Sequence, residues 1–253
     1  MTLFLSGCGR SMRRTSLAAG ALIALATGQA IGSAVYFDGT FTPANWSEIN
    51  IFGPGNGAQS FVSTQQLPNG GNPTFWRQIT ISLDAQAPNT AIFNLNLNAN
   101  AFYNPATQGA ITFIDYSEDS IALNDVGNVQ STGLVIVQGG RLYIQRNPVL
   151  VMPFVSFSNW APNSAPGLIA SDLWEVDLAG QLDPTSNPDF SAGGGVMQLG
   201  FWRGASSGFA TSLSVREAGI DNWFVRIVPA PGAASVFALG ATACAVRRRR
   251  PNR

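Results

Sequence analysis

From Val35 to Val228 the chain repeats one pattern, a short run rich in Val, Ile, Phe, Thr and Leu followed by a cluster of Gly, Pro, Asn or Asp. β-Branched and aromatic residues suit a pleated, half-buried surface, and the clusters supply turn conformations. Segments such as "FWRQITISLD", "AIFNLNLNA", "AITFIDYS", "VMQLGFWR" and "NWFVRIV" therefore read as strands, and sustained helical periodicity is missing. About a dozen strands in about 190 residues suffice for two sheets around one core. The expected fold class is all-β: a single antiparallel β-sandwich occupying residues 35–228.

Two stretches sharpen this. "AIFNLNLNANA" alternates strictly, with Asn94, Asn96, Asn98 and Asn100 on one face and Phe93, Leu95 and Leu97 on the other. The expectation is a core-facing leucine side and a wet asparagine side. "VIVQGGRLYIQ" sets Gly139-Gly140 between two alternating runs, the signature of a two-residue hairpin turn that needs positive φ.

Charge is segregated along the chain. All 14 basic residues are arginine, and eight of them crowd the two ends. Within residues 35–228, fourteen acids face six arginines, a net charge of −8. An acidic body without lysine offers no basic face for phosphates, so nucleic acid is excluded as a partner. Histidine is absent, and the two cysteines, Cys8 and Cys244, lie in the terminal segments. The body thus has no Ser-His-Asp arrangement, thiol nucleophile or disulfide framework.

The beginning reads as a secretory signal over residues 1–34. Arg13 and Arg14 precede an apolar centre and small residues, with cleavage expected after Ala30 or Ala34 and an alternative start at Met12. "LSGC" at residues 5–8 mimics a lipobox but has no basic region before it. At the other end, Pro229-Ala230-Pro231 precedes an uncharged apolar run, 232–246, closed by Arg247, Arg248, Arg249 and Arg250. Fifteen residues are short for a spanning helix, which needs about 17–25; the arginine block would hold the C-terminus in the cytoplasm.

The order Pro-Ala-Pro, apolar helix, arginine cluster resembles the PEP-CTERM sorting signal of exported bacterial proteins. The resemblance implies handling by the secretion machinery and by an exosortase-like processing protease, with delivery to the cell surface or exopolysaccharide matrix. Ala230 departs from the glutamate that many members carry, and a simple tail anchor is the alternative. The opening "YFDGTF…W" and closing "GIDNWFVRI" are similar to the first and last strands of concanavalin/laminin-G jelly rolls. That resemblance implies that the ends of the body meet in neighbouring strands.

Candidate chemistry is sparse. "SDLWEVDLAG" sets Glu175 and Asp177 on one strand face, and paired carboxylates invite a glycosidase reading. The segment resembles the Glu-x-Asp-x-x-Glu strand of sandwich-fold glucanases, but Gly180 stands where the acid/base glutamate belongs. A solvated strand face is the other reading. Asp115, Glu118 and Asp119 in "DYSEDS" could supply oxygens to calcium, although their spacing matches no EF-hand and a solvated turn explains them equally. Trp160, Trp202 and Trp223 are candidates for stacking on sugar; Trp160, in "FSNWAPNSAPG", is the one expected at the surface and Trp223 in the core.

The expectation is therefore a noncatalytic exported surface or matrix protein with polysaccharide as its ligand class and no required cofactor. A carboxylate-dependent glycoside hydrolase is the alternative.

Overall fold

The computed structural model describes residues 32–124, 130–146, 148, 150–151 and 159–231. The expected signal segment up to residue 31, and the apolar run 232–246 with Arg247–Arg250, lie outside the described residues. Within them, no helix is long and apolar enough to cross a membrane.

Fourteen strands are described. The first seven are β1 (Ala34–Asp38), β2 (Trp46–Phe52), β3 (Phe61–Leu67), β4 (Trp76–Asp84), β5 (Ala91–Tyr103), β6 (Ile111–Ala122) and β7 (Ser131–Gln138). They are followed by β8 (Arg141–Gln145), β9 (Leu150–Val151), β10 (Ala161–Leu168), β11 (Leu173–Val176), β12 (Leu182–Asp183), β13 (Met197–Ser206) and β14 (Leu213–Pro229). The smaller sheet runs β10-β6-β14-β4-β3 with β1 beside β14, and the larger runs β12-β11-β8-β7-β13-β5-β2 with β9 beside β7. All pairings are antiparallel, as an all-β sandwich requires.

The ends of the body do meet: β1 lies along β14 with Ala34 opposite Ile227 and Asp38 opposite Trp223. The β7–β8 hairpin turns on Gly139 and Gly140, with φ of 59° and 79°. Positive φ at both central residues is the geometry that matches strand twist.

Between the sheets lies the main core, in which Ile79, Ile81 and Leu83 of β4 and Ile220 and Val225 of β14 face Leu134, Ile136 and Phe201 of the larger sheet. Trp46 packs edge-on against Trp223 at 5.1 Å and gives its indole N–H to Asp38 at 2.8 Å. That bond ties the start of the larger sheet to β1 and satisfies a buried donor.

Polar bridges join the sheets as well. Arg203 of β13 and Glu118 of β6 form an ion pair at 3.0 Å with both side chains fully buried. Glu118 also accepts from the hydroxyls of Tyr116, Ser120 and Thr132. Arg77 of β4 pairs with Glu48 of β2 and donates its Nε–H to Asn96 at 3.0 Å.

This second bridge corrects the expectation for β5. Asn94, Asn96 and Asn98 are buried, on the side facing the smaller sheet, whereas Phe93, Leu95 and Leu97 occupy the opposite face. Asn96 donates to Asn94 at 2.6 Å and Asn94 to Asn50 at 2.7 Å, so the amides form a hydrogen-bonded row with Arg77 and Glu48. Alternation identifies two faces, but here both are covered, and hydrogen bonding makes the polar one tolerable inside.

"DYSEDS" is the middle of β6 and not a turn. "APNSAPGL" was expected to be a loop but forms β10. Its prolines fit because β10 is a sheet edge, where one row of backbone donors is unused.

Candidate functional site

The larger sheet is rolled. Gly53 follows β2 at one edge and Gly180 follows β11, separated from β2 by four strands in sheet order. Yet a Cβ on Gly180 would fall 3.0 Å from the Gly53 Cα and 3.6 Å from Ile51 Cγ2. The two margins have therefore closed toward each other around a second apolar cluster, which includes Ile51, Leu95, Val135, Ile144, Val176 and Trp202. Gly180 has a φ of 77°, so backbone conformation and close approach both call for glycine there.

At the end of this roll where β5 begins and β13 ends, the lumen opens into a cavity of about 320 Å³. Its apolar lining includes Ala91, Leu182 and Ala205 with the buried Trp202 and Phe93 behind, and its polar lining includes Ser131, Gln181 and Arg146. Gly53, Gly180 and Gly204 also border it, so part of its volume is space that side chains would have filled. A Cβ on Gly204 would meet the Trp202 ring at 2.6 Å, which fixes where that indole can lie. Trp202 is fully buried, and its indole N–H has no acceptor.

Arg146 follows β8 and is anchored by its backbone N–H, which donates to the Asp172 carbonyl at 2.8 Å. Its guanidinium carbon sits 6.0 Å from the centre of the Trp174 ring, and its buried Nε–H has no acceptor. Arg77, Arg141, Arg203 and Arg226 each hold a carboxylate. Arg146 forms no ion pair among the described residues, and burial lowers its pKa from the ordinary arginine value. None of the described residues bordering the cavity is acidic.

Glu175 and Asp177 share a shallow cleft with Arg141 and Asp183 at the margin of the rolled sheet. Each is engaged locally. Glu175 accepts from Arg141 at 2.9 Å and from Ser186 at 2.5 Å. Asp177 lies beyond the end of β11, and its Oδ1 accepts from the backbone N–H groups of Ala179 and Gln181, closing the turn. The Thr185 hydroxyl and backbone N–H hold the Asp183 carboxyl below its ordinary range. The cleft's carboxylates are thus engaged as hydrogen-bond acceptors, Glu175 across strands and Asp177 and Asp183 within their own turns.

The calcium trio does not converge. Glu118 points into the interior toward Arg203, while Asp115 and Asp119 lie on the other face of β6. Asp115 is held by Arg226 at 2.6 Å, and Asp119 accepts from the side-chain amides of Asn72 and Asn222 at 3.0 and 2.8 Å. Among the described residues, no group of three or more acidic or cysteine side chains is placed to hold a metal ion. The physical reason is strand alternation, which separates neighbouring residues onto opposite faces.

Trp160 is half-buried, packs edge-on against Trp76 at 5.6 Å and donates its indole N–H to the Gly70 carbonyl at 2.8 Å. It braces the loop before β4. Trp223 lies in the core as expected. Pro229 ends β14, the Ala230 N–H donates to the Ala110 carbonyl at 2.6 Å, and Pro231 is exposed, so the Pro-Ala-Pro stretch begins inside the folded body. Of the residues around the cavity, Trp202 was among the sequence candidates, whereas Arg146 was not.

No protein-family model matches the sequence, and no curated protein matches it. Among solved structures, a carbohydrate-binding module studied for specific mannan recognition is 12% identical with a TM-score of 0.40, over 78% of this chain and 97% of that one. An exo-β-agarase is 12% identical with a TM-score of 0.37, over 80% of this chain and 26% of that one. Both likenesses are too distant to transfer a site or a ligand to this chain.

Proposed function

We propose that the protein is an exported, noncatalytic component of the cell surface or its matrix that binds polysaccharide, and that the cavity at the mouth of the rolled sheet receives the sugar. The observation that carries this reading is the cavity's composition: an apolar wall that includes Ala91, Leu182 and Ala205, backed by the buried Trp202 and Phe93, beside a rim of hydrogen-bonding groups. A sugar ring has apolar faces and hydroxyl edges, and a concave site with an apolar floor and a few polar groups suits both. The volume, about 320 Å³, matches the lower end of small-ligand sites, about 300–1,000 Å³.

The noncatalytic reading draws support from the carboxylates. Hydrolysis of a glycosidic bond uses two carboxyl groups with different protonation tasks across that bond. Glu175 is committed to Arg141 and Ser186, Asp177 to a turn, and Gly180 offers no side chain. Export rests on the arginine-flanked apolar segments at both ends, with an exosortase-like protease as the processing partner.

The test is incubation of the purified 253-residue chain with a glycan panel. Retention on a polysaccharide without cleavage, lost when Ala91→Phe fills the mouth, supports the reading. Bond cleavage abolished by Glu175→Gln overturns it. For export, protease added to intact spheroplasts should digest the body; full protection would refute delivery to the outside.

A further inference from the structure

We infer that the sugar taken by this cavity is an anionic one, its carboxylate or sulfate oxygens held by the Arg146 guanidinium. This rests on the polysaccharide-binding reading and names the ligand class for that site.

Three observations lead there. Arg146 is the one charged side chain bordering the cavity, and no carboxylate balances it among the described residues. In a body with a net charge of −8, an arginine without an acidic partner runs against composition. Arg77, Arg141, Arg203 and Arg226 each acquired a carboxylate among the described residues. The second observation is its Nε–H, which is buried without an acceptor, so a donor of the planar fork is unspent. The third is placement: the guanidinium lies near the Trp174 ring at 6.0 Å, which restricts its sweep, and the cavity beside it has both apolar and hydrogen-bonding lining.

An anionic oxygen pair matches a guanidinium fork in shape and charge, and such bonds are roughly twice as strong as neutral ones. A neutral sugar would leave the cation uncompensated in a partly desolvated site. A carboxylate or sulfate on the ring would supply the missing charge while the ring itself lies against the cavity's apolar wall.

The experiment is calorimetric titration of the purified 253-residue chain with three oligosaccharides of equal length: an oligogalacturonate, a sulfated galactose oligomer and a neutral galactose oligomer. The expected result is binding of at least one acidic oligomer, weakened by salt, and weakened about 10- to 100-fold by Arg146→Gln. Arg146→Lys should recover part of the affinity, because charge is kept and the fork is lost. Whether carboxylate or sulfate prevails identifies the acidic group. Binding of the neutral oligomer as tightly as the acidic ones, unaffected by Arg146→Gln, overturns this inference and leaves polysaccharide binding standing. Failure of all three oligomers and of the glycan panel overturns both. Equal melting temperatures for the parent and Arg146→Gln chains confirm that the comparison concerns binding.

Discussion

Replacing Glu118 by leucine would leave the Arg203 guanidinium charged, fully buried and without a carboxylate between the two sheets. Its Nε and Nη1 already lack acceptors, and only Nη2 would retain the Gly219 carbonyl, at 3.3 Å. Breaking a buried pair by removing one partner costs about 3–5 kcal/mol, because the remaining charge is uncompensated. The Tyr116, Ser120 and Thr132 hydroxyls also lose their common acceptor, each worth about 1 kcal/mol if it finds no other. For a domain of this size each kcal/mol moves the melting temperature by about 2–4 °C, so the variant should melt at least about 6 °C lower. Urea unfolding measures the change directly, with the midpoint falling and the slope unchanged. Removing both charges, as Glu118→Leu with Arg203→Met, should recover most of the loss, since a packed apolar pair replaces a desolvated ionic one. A single variant within about 1 kcal/mol of the parent would refute this reasoning, as would a double variant no more stable than the single.

The Asp115–Arg226 pair has an arginine that is about half exposed, so Arg226→Ala should cost less than about 1 kcal/mol by the same urea assay. Tyr116 has its pKa pushed well above the ordinary tyrosine range, first by burial and then by the Glu118 carboxylate. Its contribution is therefore fully present below pH about 10 and is lost as pH rises further, because only the unfolded chain ionises, at up to about 1.4 kcal/mol per pH unit. Stability measured between neutral and strongly alkaline pH should fall less steeply in Tyr116→Phe than in the parent. Gly204→Val places a Cβ against the Trp202 ring and should destabilise by about 1–3 kcal/mol, readable as a lowered urea midpoint. Adding calcium or a chelator should leave the melting temperature of the body unchanged, since Asp115, Glu118 and Asp119 do not share a face.

How much of this could be read in advance differs from feature to feature. The Gly139-Gly140 hairpin was legible because its determinant is local: two residues that must adopt positive φ between alternating runs. The antiparallel strands were legible for a similar reason, as each rests on a pattern within one segment, whereas the meeting of the ends followed only from the resemblance of the first and last strands to jelly rolls. The orientation of β5 was not, because both of its faces are covered, and which is drier depends on Arg77 and Glu48 from strands far away in sequence. β10 was hidden by its prolines, which only a sheet edge accommodates. The cavity was invisible for a further reason. It exists because Gly53 and Gly180 approach across a rolled sheet, and no linear pattern encodes that meeting. Arg146 looked like the end of an ordinary strand; its isolation becomes apparent only once every other partner has been placed.

β5 carries a directional consequence. It starts at Ala91 on the cavity wall and ends at Tyr103, whose hydroxyl donates to the carbonyls of Gln108 and Gly109 at the beginning of the neighbouring sheet's β6. Ala230, where the chain leaves the body, is bonded to Ala110 in that same place. Thirteen residues of extended backbone separate the two points, about 40 Å at the usual rise per residue. A molecule moored through its C-terminus would stand upright like a mast, carrying its open mouth at the tip and its mooring at the foot.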